Sequence, residues 1–431
     1  MPTVLEIFKD ITKLQRCSGN HKEFIEYVQN LSKKLGYICL VDDVFNVLCK
    51  KENSKANIVF QSHYDIVCLK ENCVPQIIED ETTLKAVDST LGADNGIGCS
   101  YMIALMLEGF DAEFLFTSDE EIGLIGANGL NLPINANFML NLDSEEEGEI
   151  CIGCAGGVDI KAIFKDKKIV PNNENLDLYE ISINNLQGGH SGVDIDKNIP
   201  NAIKLLVKSI KECDGKILDI NAGERINSIP ANAKAIIASK TIPKKVVENM
   251  KIEKIDAKSE HLTIYSDKLL DYLYSFENGV RSLNKELNVV QDSINLALIN
   301  TKIDEIVVEF SARSMSNENL KNLKESTKKD LEQIGCEVET YGKYPAWKPD
   351  INSFTNTVLD IYKEINNKAS LRAIHAGLEC AIFKEKYPNL KIASIGPTIK
   401  FPHSKKETVY KDSINNVFEI VKKIAYNLHS R

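Results

Sequence analysis

Three short apolar runs in the first third of the chain end in side chains that can bind metal ions or move protons. The runs lie at 58–60, 114–116 and 138–140, and the side chains that follow them are His63, Asp65, Glu120, Glu121 and Asp143. A buried strand that ends abruptly in polar residues is typical of an α/β sheet, which presents functional residues at the carboxyl ends of its strands. We therefore predict that these side chains meet at one edge of a sheet.

The acidic cluster Asp119-Glu120-Glu121 directly follows one of these runs. A low-dielectric pocket does not hold several carboxylates cheaply unless cations neutralise them. One interpretation is that one carboxylate binds a metal ion and its neighbour acts as a general base. A solvent-exposed acidic turn is the alternative.

Two further segments extend the pattern. Asp65 lies two residues from His63, so on an extended chain the two share a face and Asp65 can accept a hydrogen bond from the imidazole. Asp94 lies in a glycine-rich turn at 91–98, before an apolar helix. Its two oxygens suit it to bridge two cations, although a helix N-cap is the ordinary role for such an aspartate.

Near the C-terminus, His403 follows an apolar strand pattern at 392–395 and could return to the same sheet edge. The acidic run at 145–147 is interpreted as exposed surface instead. One imidazole and one carboxylate for each metal, with a shared aspartate, is a ligand set that suits zinc, with manganese or cobalt as replacements. The sequence therefore predicts two divalent metal ions as cofactors.

Longer motifs at 91–98, 141–149, 153–157, 188–192, 344–350 and 373–380 span most of the chain. In content and order they resemble the aminoacyl-histidine dipeptidase (Xaa-His dipeptidase) branch of the co-catalytic zinc aminopeptidases and carboxypeptidases. The resemblance implies that His63 and Asp143 bind one metal ion, that Glu121 and His403 bind the other, and that Asp94 bridges both.

The resemblance also implies roles for residues around the metal ions. Glu120 would be the catalytic base, and Asp65 would be the hydrogen-bond partner of His63. His190, in the Gly-Gly-His-Ser-Gly motif of an inserted domain, would help to stabilise the oxyanion. Asn227 would bind the substrate backbone and Arg313 its carboxylate.

Other readings of these residues stay open on the sequence alone. His190 could be a turn histidine, Asn227 a plain turn residue, and Arg313 part of a surface salt bridge. Gly377 would allow the bound peptide to approach the backbone closely. Whether His375 or Glu379 contacts the substrate or only orders this turn is left open.

The predicted fold class is α/β, with a mixed-sheet zinc-peptidase catalytic domain and an inserted α+β lid or dimerisation domain. The catalytic domain is predicted to be discontinuous, at 1–156 and 345–431, with the lid at 157–344. Within the lid we predict a strand at 178–183 and a helix at 198–213 with Pro200 in its first turn. The length of the lid would accommodate two small βαβ units.

The bulk properties exclude several classes of partner. A formal net charge of −10 argues against nucleic acid and anionic membranes, which attract basic proteins. The sequence has no apolar run of about 20 residues and does not open with a signal-peptide pattern, so we expect a cytoplasmic location. Eleven cysteines without the spacing of a disulfide framework favour reduced, mostly buried thiols.

The predicted function is a metallo-dipeptidase that hydrolyses unblocked dipeptides of the Xaa-His class with a water activated by two metal ions. Small peptides are the expected partners, and a homodimer through the lid is left open. An N-acyl-amino-acid amidohydrolase of the same superfamily is one alternative. A non-catalytic metal-dependent binding protein is another, although a general base such as Glu120 would serve no purpose in it.

Overall fold

The computed structural model describes residues 1–70, 74–171, 176–256, 260–285 and 287–429. The chain forms two units, each with its own hydrophobic core. Unit one consists of Met1–Cys154, Trp347–Ala373 and Leu378–Arg431, and unit two consists of Ala155–Ala346 and Ile374–Gly377. Unit one is therefore built from separate stretches of the chain.

Helices and strands alternate over the first stretch of unit one. These elements are α1 Val4–Ile11, α2 Lys22–Leu35, β1 Tyr37–Val41, β2 Val47–Lys51, β3 Ile58–His63, β4 Ile77–Glu79, β5 Thr83–Ala86, α3 Ala93–Leu107, β6 Glu113–Thr117, α4 Ile125–Gly129, β7 Phe138–Asn141 and β8 Glu149–Cys154.

Unit two is dominated by longer strands. Its elements are β9 Gly156–Phe164, β10 Lys167–Pro171, β11 Asp177–Ile183, β12 Gly189–His190, α5 Ala202–Glu212, β13 Lys216–Ala222, β14 Ser228–Ile229, β15 Ala233–Ser239, β16 Met250–Ile255, β17 His261–Tyr265, α6 Asp267–Ser275, β18 Gly279–Asn284, β19 Val289–Thr301, β20 Ile306–Ser314, α7 Asn317–Gln333 and β21 Glu337–Tyr344.

The chain then returns to unit one for its last elements. They are α8 Ser353–Lys363, β22 Ser370–Ile374, α9 Glu379–Lys386, β23 Lys391–Ser394, β24 Ile399–Lys400, β25 Thr408–Tyr410 and α10 Lys411–His429. Among the described residues, no helix combines the length and the hydrophobicity needed to cross a bilayer.

The large sheet of unit one has the order β1-β2-β6-β3-β7-β23-β8-β22. Its central strands β6, β3, β7 and β23 are parallel to one another, whereas the flanking strands β1, β2 and β8 pair antiparallel. Every residue of β3 and β6 is buried, as expected for central strands covered on both faces. The carboxyl ends of β3, β6 and β7 therefore lie side by side.

The main sheet of unit two has the order β16-β11-β15-β13-β19-β20-β9-β21 and is antiparallel throughout. The expectation of βαβ units in this segment is wrong, because such units require parallel strands. The apolar sides of α5, α6 and α7 pack into the core of this unit.

The helix predicted at 198–213 begins later than expected, at Ala202. Asn201 is its N-cap, and its side chain accepts hydrogen bonds from the N–H groups of Ile203 and Lys204. Because this cap fixes the start of the helix, Pro200 lies before the helix and not in its first turn.

The prediction of reduced cysteines is wrong for one pair. Cys17 and Cys68 form a disulfide with their Cα atoms 5.5 Å apart. A bridge between Cys17 and Ile66 brings the loop after α1 beside the loop after β3, a proximity that the sequence does not show. The other described cysteines outside this pair are free thiols, and all of them except Cys39 are buried.

The position of Phe60 in the middle of β3 gives a stability prediction for unit one. Its side chain is fully buried, so Phe60→Ala should lower the free energy of unfolding by about 3–5 kcal/mol through lost burial and a residual cavity. The single tryptophan, Trp347, is buried in the same unit, so its fluorescence during urea unfolding measures the effect. The matched control is Ile351→Ala, because Ile351 is 63% exposed; equal effects of the two variants would contradict this account.

Candidate metal centre

The parallel strands of unit one position three of the predicted ligands. His63 is the last residue of β3, Asp143 comes two residues after β7, and Glu120 and Glu121 follow the end of β6 by three and four residues. The register places His63 opposite Thr117 at the end of β6. The side chains therefore gather at one sheet edge, as the apolar runs before them predict.

Asp94 lies between the two histidines of the site. Its Oδ1 is 3.2 Å from Nε2 of His63, and its Oδ2 is 3.0 Å from Nε2 of His403. Although 340 residues separate them in sequence, the two imidazoles thus face the two oxygens of one carboxylate. His63 is buried, whereas the side chain of His403 is 41% exposed, so His403 lies on the solvent side.

Each imidazole also has a carboxylate of its own. Nε2 of His63 is 3.2 Å from Oδ1 of Asp143, and Nε2 of His403 is 2.9 Å from Oε1 of Glu121. The second contact lacks hydrogen-bond geometry, so this buried oxygen of Glu121 has no hydrogen-bond donor among the described residues. The result is two histidine-carboxylate pairs that share Asp94.

Asp65 organises both sides of this arrangement. Its Oδ1 is 3.4 Å from Nδ1 of His63, the ring nitrogen that faces away from Asp94. The same carboxylate accepts hydrogen bonds from the N–H groups of Glu120 and Glu121, at 3.0 and 3.3 Å. Asp65 thereby fixes the ring of one predicted ligand and the turn that carries another.

Glu407, which sequence reasoning missed, holds the turn that carries Asp94. It is 2% exposed, and its carboxylate accepts hydrogen bonds from four successive backbone N–H groups, at 2.7 to 3.2 Å. The four donors belong to Leu91, Gly92, Ala93 and Asp94. Because Glu407 lies four residues after His403, one short segment positions both the bridging aspartate and an imidazole.

Arg16 secures the same turn from the other side. Its buried guanidinium donates to the carbonyl oxygens of Gly92 and Tyr64, at 2.7 and 3.0 Å. Gly92 has a φ of 70°, and a Cβ there would lie 2.9 Å from Nη2 of Arg16 and from Cγ2 of Ile66. Only glycine fits this position without strain.

A second buried carboxylate, Glu379, lies beneath the site. Its Oε2 accepts hydrogen bonds from Nε2 of Gln61 and Oγ1 of Thr117, at 2.6 and 2.8 Å. Burial raises the pKa of Glu379 to about 8. Through these contacts Glu379 connects its own helix to β3 and β6, a role that the sequence did not suggest.

The electrostatics of the site favour cations. Burial raises the pKa of Glu120 well above its ordinary value and that of Glu121 to about 7. Burial alone would also raise the pKa of Asp94, but hydrogen bonds from His403 and His63 outweigh it and hold that pKa low. Ligand atoms of His63, Asp94 and Glu121 lie within 4.8 Å of one another. This set of imidazole and carboxylate donors fits divalent metal ions.

Unit two holds the remaining predicted residues. His190 ends β12, which pairs with β14 so that His190 faces Ser228, next to Asn227. The N–H of Ser191 donates to the carbonyl of Asn227 at 2.8 Å. The structure thus brings His190 and Asn227 together.

Arg313 and Gly377 also lie near one another in unit two. Arg313 is 6% exposed, and its Nη1 donates to the hydroxyl of Tyr344 at 2.6 Å. A Cβ on Gly377 would lie 2.6 Å from Cε2 of the same tyrosine. His375 contacts Ser293, which pairs with Arg313 across β19 and β20. The surface salt bridge considered for Arg313 is wrong, because the side chain is buried.

Comparison with known proteins identifies the family. The cytosol non-specific dipeptidase of Escherichia coli (strain K12) is 32% identical over 467 residues, which cover 96% of this chain and 95% of that protein. The chain belongs to the cytosol non-specific dipeptidase family. No protein-family model matches the chain.

Solved structures agree with this membership of the dipeptidase family. Aminoacylhistidine dipeptidase from Vibrio alginolyticus is 29% identical, with a TM-score of 0.80 over 99% of this chain and 96% of that chain. Aminopeptidase PepT from Bacillus cereus is 16% identical, with a TM-score of 0.60 over 99% and 98% of the two chains, and shares the fold. The predicted family, the α/β fold class and the enzyme class, a dipeptide-hydrolysing peptidase, are confirmed.

The position of Glu407 gives a prediction for metal binding. Four N–H donors need an acceptor, and Glu407→Gln places an NH₂ group among them, which should loosen the turn of Asp94. We expect the affinity of metal-stripped protein for zinc or manganese to fall about tenfold or more, as measured by calorimetric titration. The control is Glu364→Gln, because Glu364 forms an exposed salt bridge with Lys423. Unchanged affinity in the Glu407 variant would show that this carboxylate does not position the ligands.

Proposed function

We propose that this protein is a dipeptidase with two metal ions that cleaves unblocked dipeptides, Xaa-His among them. The observation that supports this proposal most strongly is the position of Asp94, whose two oxygens face two separate imidazoles. Each imidazole has one further carboxylate beside it. A site for a single ion has no need of this twofold arrangement.

We assign His63 and Asp143 to one ion, Glu121 and His403 to the other, and Asp94 to both. The metal is zinc in this proposal, since two nitrogen donors and short carboxylates suit it, and manganese or cobalt would be competent replacements. When bound, the two ions supply Lewis acidity to the scissile carbonyl and lower the pKa of a water molecule.

Glu120 is the general base in this proposal. Its N–H donates to Asp65, and the half-buried residue lies close enough to His63, Glu121 and Asp143 for their charges to act on its side chain. A carboxylate whose pKa burial has raised can accept a proton from water and pass it to the leaving amine. Since no covalent nucleophile is needed, Ser and Cys residues have no place in this chemistry.

Unit two supplies the groups that recognise the peptide. His190 would donate to the oxyanion, and Asn227, next to it, would bind the peptide backbone. Arg313 would form a bidentate pair with the C-terminal carboxylate. Gly377 would let the bound peptide approach the backbone closely, and on the side where its Cβ would lie it contacts the ring of Tyr344.

We place this protein in the cytosol, because the name of the Escherichia coli relative gives that compartment for the relative. A homodimer through the lid, which corresponds to unit two, stays a prediction.

A small substrate panel tests this function. Metal-stripped protein should be inactive on β-Ala-His, Leu-His, Gly-Gly-Gly and N-acetyl-Leu, and added zinc or manganese should restore cleavage of the free dipeptides. N-acetyl-Leu should remain intact, because the proposed site binds a free amino terminus. Cleavage of the acetylated compound alone would show that the protein is an amidohydrolase. If none of the four compounds is hydrolysed, the result would support a binding protein.

The assignment of Glu120 as general base and Glu121 as metal ligand gives a second prediction. Glu120→Gln should lower kcat for Leu-His by about 10²–10⁴-fold, the usual contribution of a general base, and should retain both metal ions. Glu121→Gln should lose one ion. Metal content is measured by mass spectrometry of the dialysed proteins. If Glu120→Gln loses metal and Glu121→Gln keeps it, the two roles must be exchanged.

A further inference from the structure

Arg313 and Tyr344 are aligned across three neighbouring strands of unit two. Gly157 of β9 lies directly opposite Arg313 of β20 on one side and opposite Tyr344 of β21 on the other. Residues that face each other in this way project from the same face of a sheet. Arg313, Gly157 and Tyr344 therefore form one row, with the glycine in the middle.

The missing side chain of Gly157 lets the two outer residues meet. Strands lie about 4.8 Å apart, so a side chain in the middle of the row would separate its neighbours. Instead, Nη1 of Arg313 donates to the hydroxyl of Tyr344 at 2.6 Å. A Cβ on Gly157 would lie 2.6 Å from Cε1 of this ring, and one on Gly377 would lie 2.6 Å from Cε2. Two glycines thus enclose opposite edges of Tyr344.

Among the described residues, no carboxylate lies within salt-bridge distance of Arg313. One electrostatic partner is Asp159, whose pKa burial raises to about 6 although the charge of Arg313 lowers it. The hydrogen-bond partner of Arg313 is the hydroxyl of Tyr344, not a carboxylate. The residue opposite Arg313 on β19 is Ser293, which contacts Nε2 of His375 at 2.7 Å. Burial and the charge of Arg313 lower the pKa of His375 to about 4, so this imidazole is neutral. Nε of Arg313 is buried and has no hydrogen-bond partner among the described residues, which is costly unless a ligand supplies one.

We infer that Tyr344 is a positioning residue that determines specificity for the C-terminal carboxylate of the dipeptide. It binds Nη1 of Arg313 and so directs the opposite edge of the guanidinium, Nε and Nη2, toward the substrate. This edge can form two parallel hydrogen bonds with a carboxylate. The inference rests on the proposed function, because it assumes that Arg313 is the residue that binds the carboxylate of the substrate.

The test compares Leu-His with Leu-His amide, which lacks the terminal charge. The wild-type enzyme loaded with zinc should prefer the acid, as measured by the ratio of the two kcat/KM values. Tyr344→Phe removes the hydroxyl and should lower this ratio about tenfold, mainly through a higher KM for Leu-His. Hydrolysis of the amide should be unchanged, which a general loss of structure would not allow.

Three further variants decide between the outcomes. Tyr341→Phe is the matched control, because Tyr341 lies on the same strand and its hydroxyl binds Glu309; it should keep the wild-type ratio. Gly157→Ala, which places a methyl group between the two partners, should reproduce the loss seen with Tyr344→Phe. Arg313→Ala should abolish the preference for the acid.

If Arg313→Ala keeps the preference, the role of Arg313 in the proposed function fails and the inference fails with it. If Arg313→Ala loses the preference while Tyr344→Phe and Gly157→Ala keep it, the inference about Tyr344 alone is overturned. Metal content and circular dichroism of every variant, compared with the wild type, show whether each protein is folded.

Discussion

The burial of several carboxylates at one sheet edge is the constraint on which the metal centre depends. Asp94, Glu120, Glu121 and Asp143 converge at the carboxyl edge of one sheet, where little water reaches them. Their pKa values are raised by burial except for Asp94, which both imidazoles contact. Several charged carboxylates share such a space at low cost only when cations neutralise them. The same property that makes the site costly for the bare protein favours the binding of divalent metal ions.

The rest of unit one fixes these ligands in place. The parallel register of β3, β6 and β7 brings the ends of three strands together. Asp65 connects one imidazole to the turn after β6, and Glu407 and Arg16 fix the turn of the bridging aspartate. Ligands held by the backbone in this way lose little entropy when a metal binds, because their geometry is already set. Unit two, by contrast, presents its polar residues on an antiparallel sheet.

Much of the metal centre could be predicted from the sequence, because His63, Glu121 and Asp143 come shortly after apolar runs that form buried strands. The family resemblance then separated the role of Glu120 from that of Glu121, which composition alone could not do. Glu407 and Arg16 gave no such signal, since one lies in a polar segment and the other stands alone. The disulfide between Cys17 and Cys68 and the cap at Asn201 depend on tertiary contacts and local hydrogen bonds that spacing does not reveal.

The most direct test of the central claim is anomalous diffraction from crystals of the zinc-loaded protein at the zinc absorption edge. The account predicts two peaks about 3.5–4 Å apart. One should contact His63 and Asp143, the other Glu121 and His403, and Asp94 should contact both. A single peak, or two peaks without Asp94 between them, would contradict the account.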